Sequence, residues 1–339
     1  METKILQTTE NDIKEAGRII RNGGLVAFPT ETVYGLGASA FDPRAAKKIY
    51  AAKGRPSDNP LIVHVCSETQ LSEVVGEIPD TAAKVIDAFM PGPVTIILKK
   101  KTVIPDEVTA GLDTVAIRFP LDKTAQALIR EAGVPVAAPS ANISGKPSPT
   151  KSKHVIKDMF GRIDAIIDGG DCAVGVESTI IDFTGDKPLI LRPGGITYDD
   201  ILNIGAEVDI DSNILQLIDT DKTPKCPGMK YKHYAPDAEV TVVEGEKKAV
   251  QNKIKELLTE NKNVMAGVLT MNGADYDNAV ILHAGSTNKE YARNLFSALR
   301  EFDELGVKIV FAEFCEQDAY GLAVKNRLYK AAAQRVIHV

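Results

Sequence analysis

Phe28-Pro-Thr-Glu-Thr-Val-Tyr-Gly-Leu-Gly37 leads into an amphipathic run, then Lys53-Gly-Arg-Pro56, then Asn59-Pro-Leu-Ile-Val-His-Val65. The apolar run at 25–28 reads as a buried strand. Pro29 stops it, having no N–H for a ladder. Gly35 and Gly37 predict a tight turn and a close approach of backbone to a ligand. Asp42-Pro43 is an N-cap followed by a first-turn proline, so a helix is expected from Pro43 to about residue 52. Lys53 and Arg55 then fall just past the helix, two apart in extended backbone, and point the same way. Two cations facing one spot suit a phosphate, a carboxylate or bicarbonate. A Lys and an Arg after a helix equally suit a solvated C-terminal cap. The density of Gly, Pro, Thr and Asn around them favours a site, since loops of that composition on a strand scaffold carry function.

The chain has 339 residues, long for one domain and comfortable for two. Its net charge of −6 argues against a strongly basic nucleic-acid binder and leaves room for a local basic cleft. Cys66, Cys172, Cys226 and Cys315 are widely spaced with no Cys-x-x-Cys, which points to free thiols in a reducing compartment rather than a zinc site. Residues 1–11 are polar and mixed in charge, unlike a signal peptide, and no apolar run reaches membrane-spanning length. A soluble, cytoplasmic protein is expected.

Ile13, Ala16, Ile19 and Ile20 repeat at helical spacing, and Gly23-Gly24 ends that helix. Helices are expected from Ser67, from Asp80, over 122–132 and over 152–160. Strands are expected over 94–98, 114–119, 134–138, near 165, over 178–183 and over 189–192. Residues 139–149, Pro-Ser-Ala-Asn-Ile-Ser-Gly-Lys-Pro-Ser-Pro, form a loop by composition. This first body, residues 1–204, has an α/β pattern. Residues 205–237 change character and read as a linker. Its Tyr231, His233 and Tyr234 are more aromatic than a plain tether needs, which suggests a segment lying over a site. From Val240 strands and helices alternate cleanly, so residues 238–339 read as a small open α/β domain with no catalytic cluster.

Several motifs can be set aside. There is no Walker A sequence, no His-Glu-x-x-His and no Gly-x-Ser-x-Gly. Gly35-Leu-Gly-Ala-Ser-Ala40 imitates a dinucleotide fingerprint, but Pro29-Thr-Glu-Thr separates it from the strand and no acidic residue follows at the required distance. His64 sits in an apolar strand, where a satisfied structural histidine is the default. Ser140 and Asn142 could form a turn, and Ser178-Thr179 a strand start. Arg118, between Ile117 and Phe119, wants an anionic partner, and Arg192 ends a strand before Pro-Gly-Gly195. Separate cations near Gly/Pro loops suit a ligand with several negative groups, such as a nucleotide together with a carboxylate substrate.

Pro29-Thr-Glu-Thr-Val-Tyr-Gly-Leu-Gly, Lys53-x-Arg55 with Ser140-x-Asn142, and Glu177-Ser-Thr-Ile-Ile-Asp resemble the YrdC-like family of threonylcarbamoyl-AMP synthases. The C-terminal domain and His233-Tyr-Ala-Pro resemble its long two-domain form, so the likeness spans essentially the whole chain. Glu31 stands where many relatives carry Asp. The resemblance implies a mixed twisted YrdC-like sheet with helices, plus a smaller Rossmann-like open α/β domain. It implies that L-threonine, bicarbonate and ATP give threonylcarbamoyl-AMP and pyrophosphate, for modification of the adenosine beside the anticodon in certain tRNAs. By the same resemblance, Thr32, His64, Arg118, Ala138 and Ser178 would hold threonine. Arg55, Asn59, Thr114, Ser140, Asn142, Ser148, Arg192 and Tyr234 would hold ATP. Lys53 and Arg55 would serve catalysis by stabilising negative charge, and Mg²⁺ would ride on the phosphates with few protein ligands. The product would pass to a tRNA threonylcarbamoyl transferase, with no stable tRNA binding and no membrane.

Two rival readings exist. A carbamoyl-adenylate enzyme of the hydrogenase-maturation type would carry zinc-finger cysteines and further modules, which this chain lacks. An RNA-binding module fits poorly with acidic net charge, sparse aromatics and no tryptophan.

Overall fold

The computed structural model describes residues 2–215, 224–226, 233–271, 273–315 and 318–339. Tyr231 lies outside the described residues. In chain order the larger sheet takes β1 (Lys4–Leu6), β2 (Val26–Phe28), β3 (Gly35–Ser39), β4 (Ile62–His64), β5 (Val94–Lys99), β6 (Thr114–Arg118), β7 (Val136–Ala138), β8 (Ala165–Ile167), β9 (Thr179–Asp182), β10 (Leu189–Arg192) and β11 (Asp209–Ile210). Across the sheet they run β1-β8-β2-β3-β7-β4-β6-β5-β9-β10-β11, with parallel and antiparallel pairs mixed. Most central strands are buried along their whole length, which explains why they read as continuous apolar runs rather than alternating ones.

A second sheet holds β12 (Glu239–Glu244), β13 (Ala266–Met271), β14 (Val280–Gly285), β15 (Ile309–Phe314) and β16 (Val336–His338). Its order is β14-β13-β15-β12-β16 and every pair is parallel. Helices Lys247–Glu260, Asn288–Glu304 and Gly321–Ala331 make the crossovers. This is the small open α/β body expected from the alternating rhythm. Among the described residues, no helix is long and apolar enough to cross a membrane.

Three expectations need correction. Gly35 and Gly37 do not make a turn; they lie inside β3, antiparallel to β2. The glycines are there for packing. A Cβ on Gly37 would stand 2.8 Å from Val136 Cγ1 and 2.9 Å from Phe28 Cε1, and one on Gly35 would stand 3.0 Å from Phe28 Cζ. The missing side chains make room for the Phe28 ring against its partner strand. The segment from Gly205 is not linker throughout, because Asp209–Ile210 pairs with β10 as an edge strand. And the helix from Pro43, capped by the Asp42 carboxylate on the Arg44 N–H at 2.9 Å, runs to Lys53 and ends on Gly54 at φ 61°. Lys53 is therefore the last helical residue and does not share an extended backbone with Arg55.

Gly37→Ala is expected to destabilise the fold by roughly 1–3 kcal/mol through overpacking. Phe28→Leu in the same chain should return part of that loss. Urea unfolding checks both, and a Gly37→Ala variant as stable as the parent would refute the packing account.

Candidate active site

The register of the larger sheet assembles the floor. Pairing of β4 with β6 sets His64 abreast of Arg118, and pairing of β4 with β7 sets Ile62 abreast of Ala138. Beyond β7 the chain turns into the 139–149 loop, bridged back to Gly35 through Ser140. Arg55, His64, Arg118, Ala138, Ser140, Ser178, Arg192 and Tyr234 line one cavity, together with Thr30, Tyr34, Glu177 and His233. The first eight were expected from sequence. Thr30 and Glu177 lie inside the quoted motifs and were not singled out, although their burial makes them part of the wall.

Other expected residues do not line the cavity but hold those that do. Thr32 Oγ1 accepts from Arg118 Nη1 at 2.7 Å. Ser148 Oγ donates to Glu177 Oε1 at 2.5 Å. Ser140 Oγ donates to Asn142 Oδ1 at 2.5 Å, and the Asn142 amide donates to the Ile143 and Lys146 carbonyls at 2.8 and 2.9 Å. Arg55 Nη2 donates to the carbonyls of Asn59 and Pro60 at 3.1 and 3.2 Å. Thr114 stands apart. It opens β6 opposite Lys99, four strand residues and about 13 Å before Arg118.

Lys53 departs most from expectation. The residue is 2% exposed and its ammonium lies on the carbonyls of Ser140 and, at 2.7 Å, Asn142. Burial and the Arg55 charge hold it below its ordinary pKa range. It therefore grips the loop that carries Ser140 and Asn142, with the Arg55 charge close by.

Two buried groups await a partner. Arg118 Nη2 lies 2.7 Å from Glu31 Oε1, but the pair is not aligned as a hydrogen bond, and Arg118 Nε has no acceptor. Burial opposes ionisation of Glu31, yet the Arg118 charge keeps its carboxyl below the usual range. Asn59 is fully buried and neither polar atom of its side chain is bonded. Such orphans are costly in a closed fold and are ordinary where a ligand or water completes them. Ser178 Oγ sits 2.7 Å from Thr95 Oγ1, and Arg192 spans Ser178, with Nε on its carbonyl at 3.0 Å and Nη2 on its hydroxyl at 3.1 Å. In the cavity wall, Tyr234 takes a left-handed φ of 66° and packs on Phe296 at 5.1 Å.

His64 lies edge-on to Phe28, with ring centroids 5.9 Å apart. Its Nδ1 is 3.1 Å from the Ile62 carbonyl, which can only accept, so the neutral ring keeps its proton there and Nε2 keeps a lone pair. Burial, then the Arg118 charge, depress its pKa from 6.5 to about 3. The folded value lies below the unfolded one, so protonation favours unfolding. This stability is complete above pH 6.5 and is lost as pH falls toward 3. At pH 5 one such group costs about 2 kcal/mol. The urea midpoint should therefore fall from pH 7 to pH 5, and His64→Asn should make that slope shallower, with the similarly depressed His154 and His233 keeping the rest; an unchanged slope would contradict a neutral His64.

The family described as "Telomere recombination" matches residues 18–194, and the one described as "Threonylcarbamoyl-AMP synthase, C-terminal domain" matches residues 196–333. A threonylcarbamoyl-AMP synthase of Pyrococcus abyssi is 49% identical over 328 residues, 96% of either chain. One of Bacillus subtilis is 46% identical over 342 residues, covering 99% of this chain and 97% of the other. The crystal structure of P. abyssi Sua5 complexed with L-threonine superposes over 100% of both chains with a TM-score of 0.95 at 48% identity. A full-length likeness on this scale, joined to the cavity built from the quoted motifs, means that the chain belongs to the threonylcarbamoyl-AMP synthase family, in its two-domain form.

Proposed function

We propose that the cavity takes L-threonine, bicarbonate and ATP and releases threonylcarbamoyl-AMP and pyrophosphate, acting as a nucleotidyltransferase. The observation that carries this reading is the buried guanidinium of Arg118, whose Nη2 is paired with Glu31 while its Nε has no acceptor. A substrate carboxylate supplies one, and arginine suits such a contact better than lysine. The relative complexed with L-threonine supports threonine as its source.

In this reading Arg118 clamps the threonine carboxylate, with Thr32 Oγ1 fixing the guanidinium. His64 is held neutral by burial and the Arg118 charge, and its Nε2 lone pair accepts a hydrogen bond from the amino acid. Ser178 and the Ala138 backbone close the pocket around it. The amine attacks bicarbonate or CO₂, giving a carbamate with loss of water or a proton. The carbamate oxygen attacks the α-phosphorus in line and pyrophosphate leaves. Holding poor partners together is the main service. Arg55 and Arg192 stabilise charge that gathers at phosphorus, and Asn59, Ser140, Asn142 and Ser148 orient the nucleotide. Lys53 contributes by fixing the loop of Ser140 and Asn142. Tyr234 and His233 line the cavity, where they would keep water from the mixed anhydride. The adenylate is then consumed by a tRNA threonylcarbamoyl transferase.

Among the described residues no group of three His, Cys, Asp or Glu side chains is placed to hold a metal. The carboxylates of Glu31 and Glu177 are committed to Arg118 and Arg327. In this reading Mg²⁺ would come with ATP, where it would neutralise charge on the leaving pyrophosphate.

Pyrophosphate release should require ATP, Mg²⁺, bicarbonate and L-threonine together, tested by omitting each in turn. Release that persists without threonine would sink the reading. Arg118→Ala should weaken threonine binding by on the order of 100-fold, as loss of a charged buried contact does. Arg55→Ala should leave threonine binding intact and cut adenylate formation by orders of magnitude.

A further inference from the structure

Arg327 belongs to helix Gly321–Ala331 of the second body, yet its side chain ends inside the first. It is completely buried. Its Nε donates to Glu177 Oε2 at 2.9 Å, Nη1 to the Pro193 carbonyl at 2.7 Å, and Nη2 to the Glu177 carbonyl at 3.3 Å. The other oxygen of Glu177 takes the Ser148 hydroxyl. The guanidinium also lies 5.8 Å from the ring of Tyr234. One cation of the second body thus touches the backbone next to Arg192, the ring of Tyr234, and, through one carboxylate, Ser148.

A second arginine repeats the arrangement. Arg300 Nη2 donates to the Pro147 carbonyl at 2.6 Å and to Asp158 Oδ2 at 2.7 Å, and that same oxygen accepts from the Ile143 N–H at 3.3 Å. Both therefore hold the 139–149 loop from the second body. The threonine-side pair Arg118–Glu31 has no partner from that body among the described residues.

Glu177 lines the cavity that must admit a polyanion. Left alone, its carboxylate would repel a triphosphate and draw Arg192 onto itself. Arg327 answers that charge from behind, while the other carboxylate oxygen accepts from Ser148. We propose that Arg327 is a positioning residue for nucleotide binding: it neutralises Glu177 and fixes Ser148, and the second body is thereby part of the ATP site. This rests on the functional reading above.

The test uses the full-length chain and titrates ATP and L-threonine separately by calorimetry, alongside KM for ATP. Arg327→Gln should raise the ATP Kd and KM by about tenfold or more, the worth of a lost charged contact, while the threonine Kd stays within about twofold. Arg327→Lys, which keeps the charge and loses the fork, should fall between it and the parent. Should Arg327→Gln fail to fold, Arg327→Lys alone decides. An ATP Kd equal to the parent's in a folded variant overturns the proposal. So does parallel weakening of ATP and threonine, which would mark a general structural role. If the parent binds ATP but releases no pyrophosphate with threonine and bicarbonate, the functional reading fails while the ATP titrations still judge Arg327.

Discussion

A cation withdrawn from water must be answered by oxygen, and this protein withdraws many. Lys53, Arg118, Arg192, Arg300 and Arg327 are all nearly or wholly buried. Each reaches carbonyls, hydroxyls or carboxylates that the sheet ladders leave unused. The 139–149 loop shows the reciprocal need. Its Gly/Pro-rich backbone has few ladder partners, and its carbonyls at Ser140, Asn142 and Pro147 are met instead by Lys53 and Arg300. The same donors that satisfy the loop also place it, so loop conformation and buried charge are one problem with one solution.

The sheet contributes what side chains cannot. Its register puts His64 beside Arg118 and brings the 139–149 loop back over Gly35. A shift by one residue in β4 or β6 would send one of these side chains to the opposite face. Gly35 and Gly37 belong to this account, since the Phe28 ring that occupies their space also meets His64 edge-on.

Much of this was legible in the sequence where local chemistry decides. The Asp42-Pro43 start, the apolar strands and the αβ alternation after residue 240 follow from caps and periodicity. The quoted motifs did converge, with Arg55, His64, Arg118, Ser140, Ser178 and Arg192 on one cavity. What stayed hidden depends on distant partners. β3 is rich in glycine and reads as a turn until the Phe28 ring is seen across it. Lys53 reads as a ligand contact because its carbonyl partners lie almost ninety residues away. Arg300 and Arg327 sit on helices whose sequences give no sign that their heads enter another body. Single-sequence patterns report which face of a helix is apolar, and a buried guanidinium on that face looks like a solvated one.

The two bodies do not merely touch. Val33 and Val176, from the first, pack in the apolar core of the second, and Arg327 closes the seam with no exposure to solvent. Melting the smaller sheet would take the arginine partners from Glu177 and Asp158 and strip Val33 of its neighbours. The chain has the length of two domains joined across a seam of buried charge and apolar contact, so a helix of the second body braces the wall of a cavity that the first body lines.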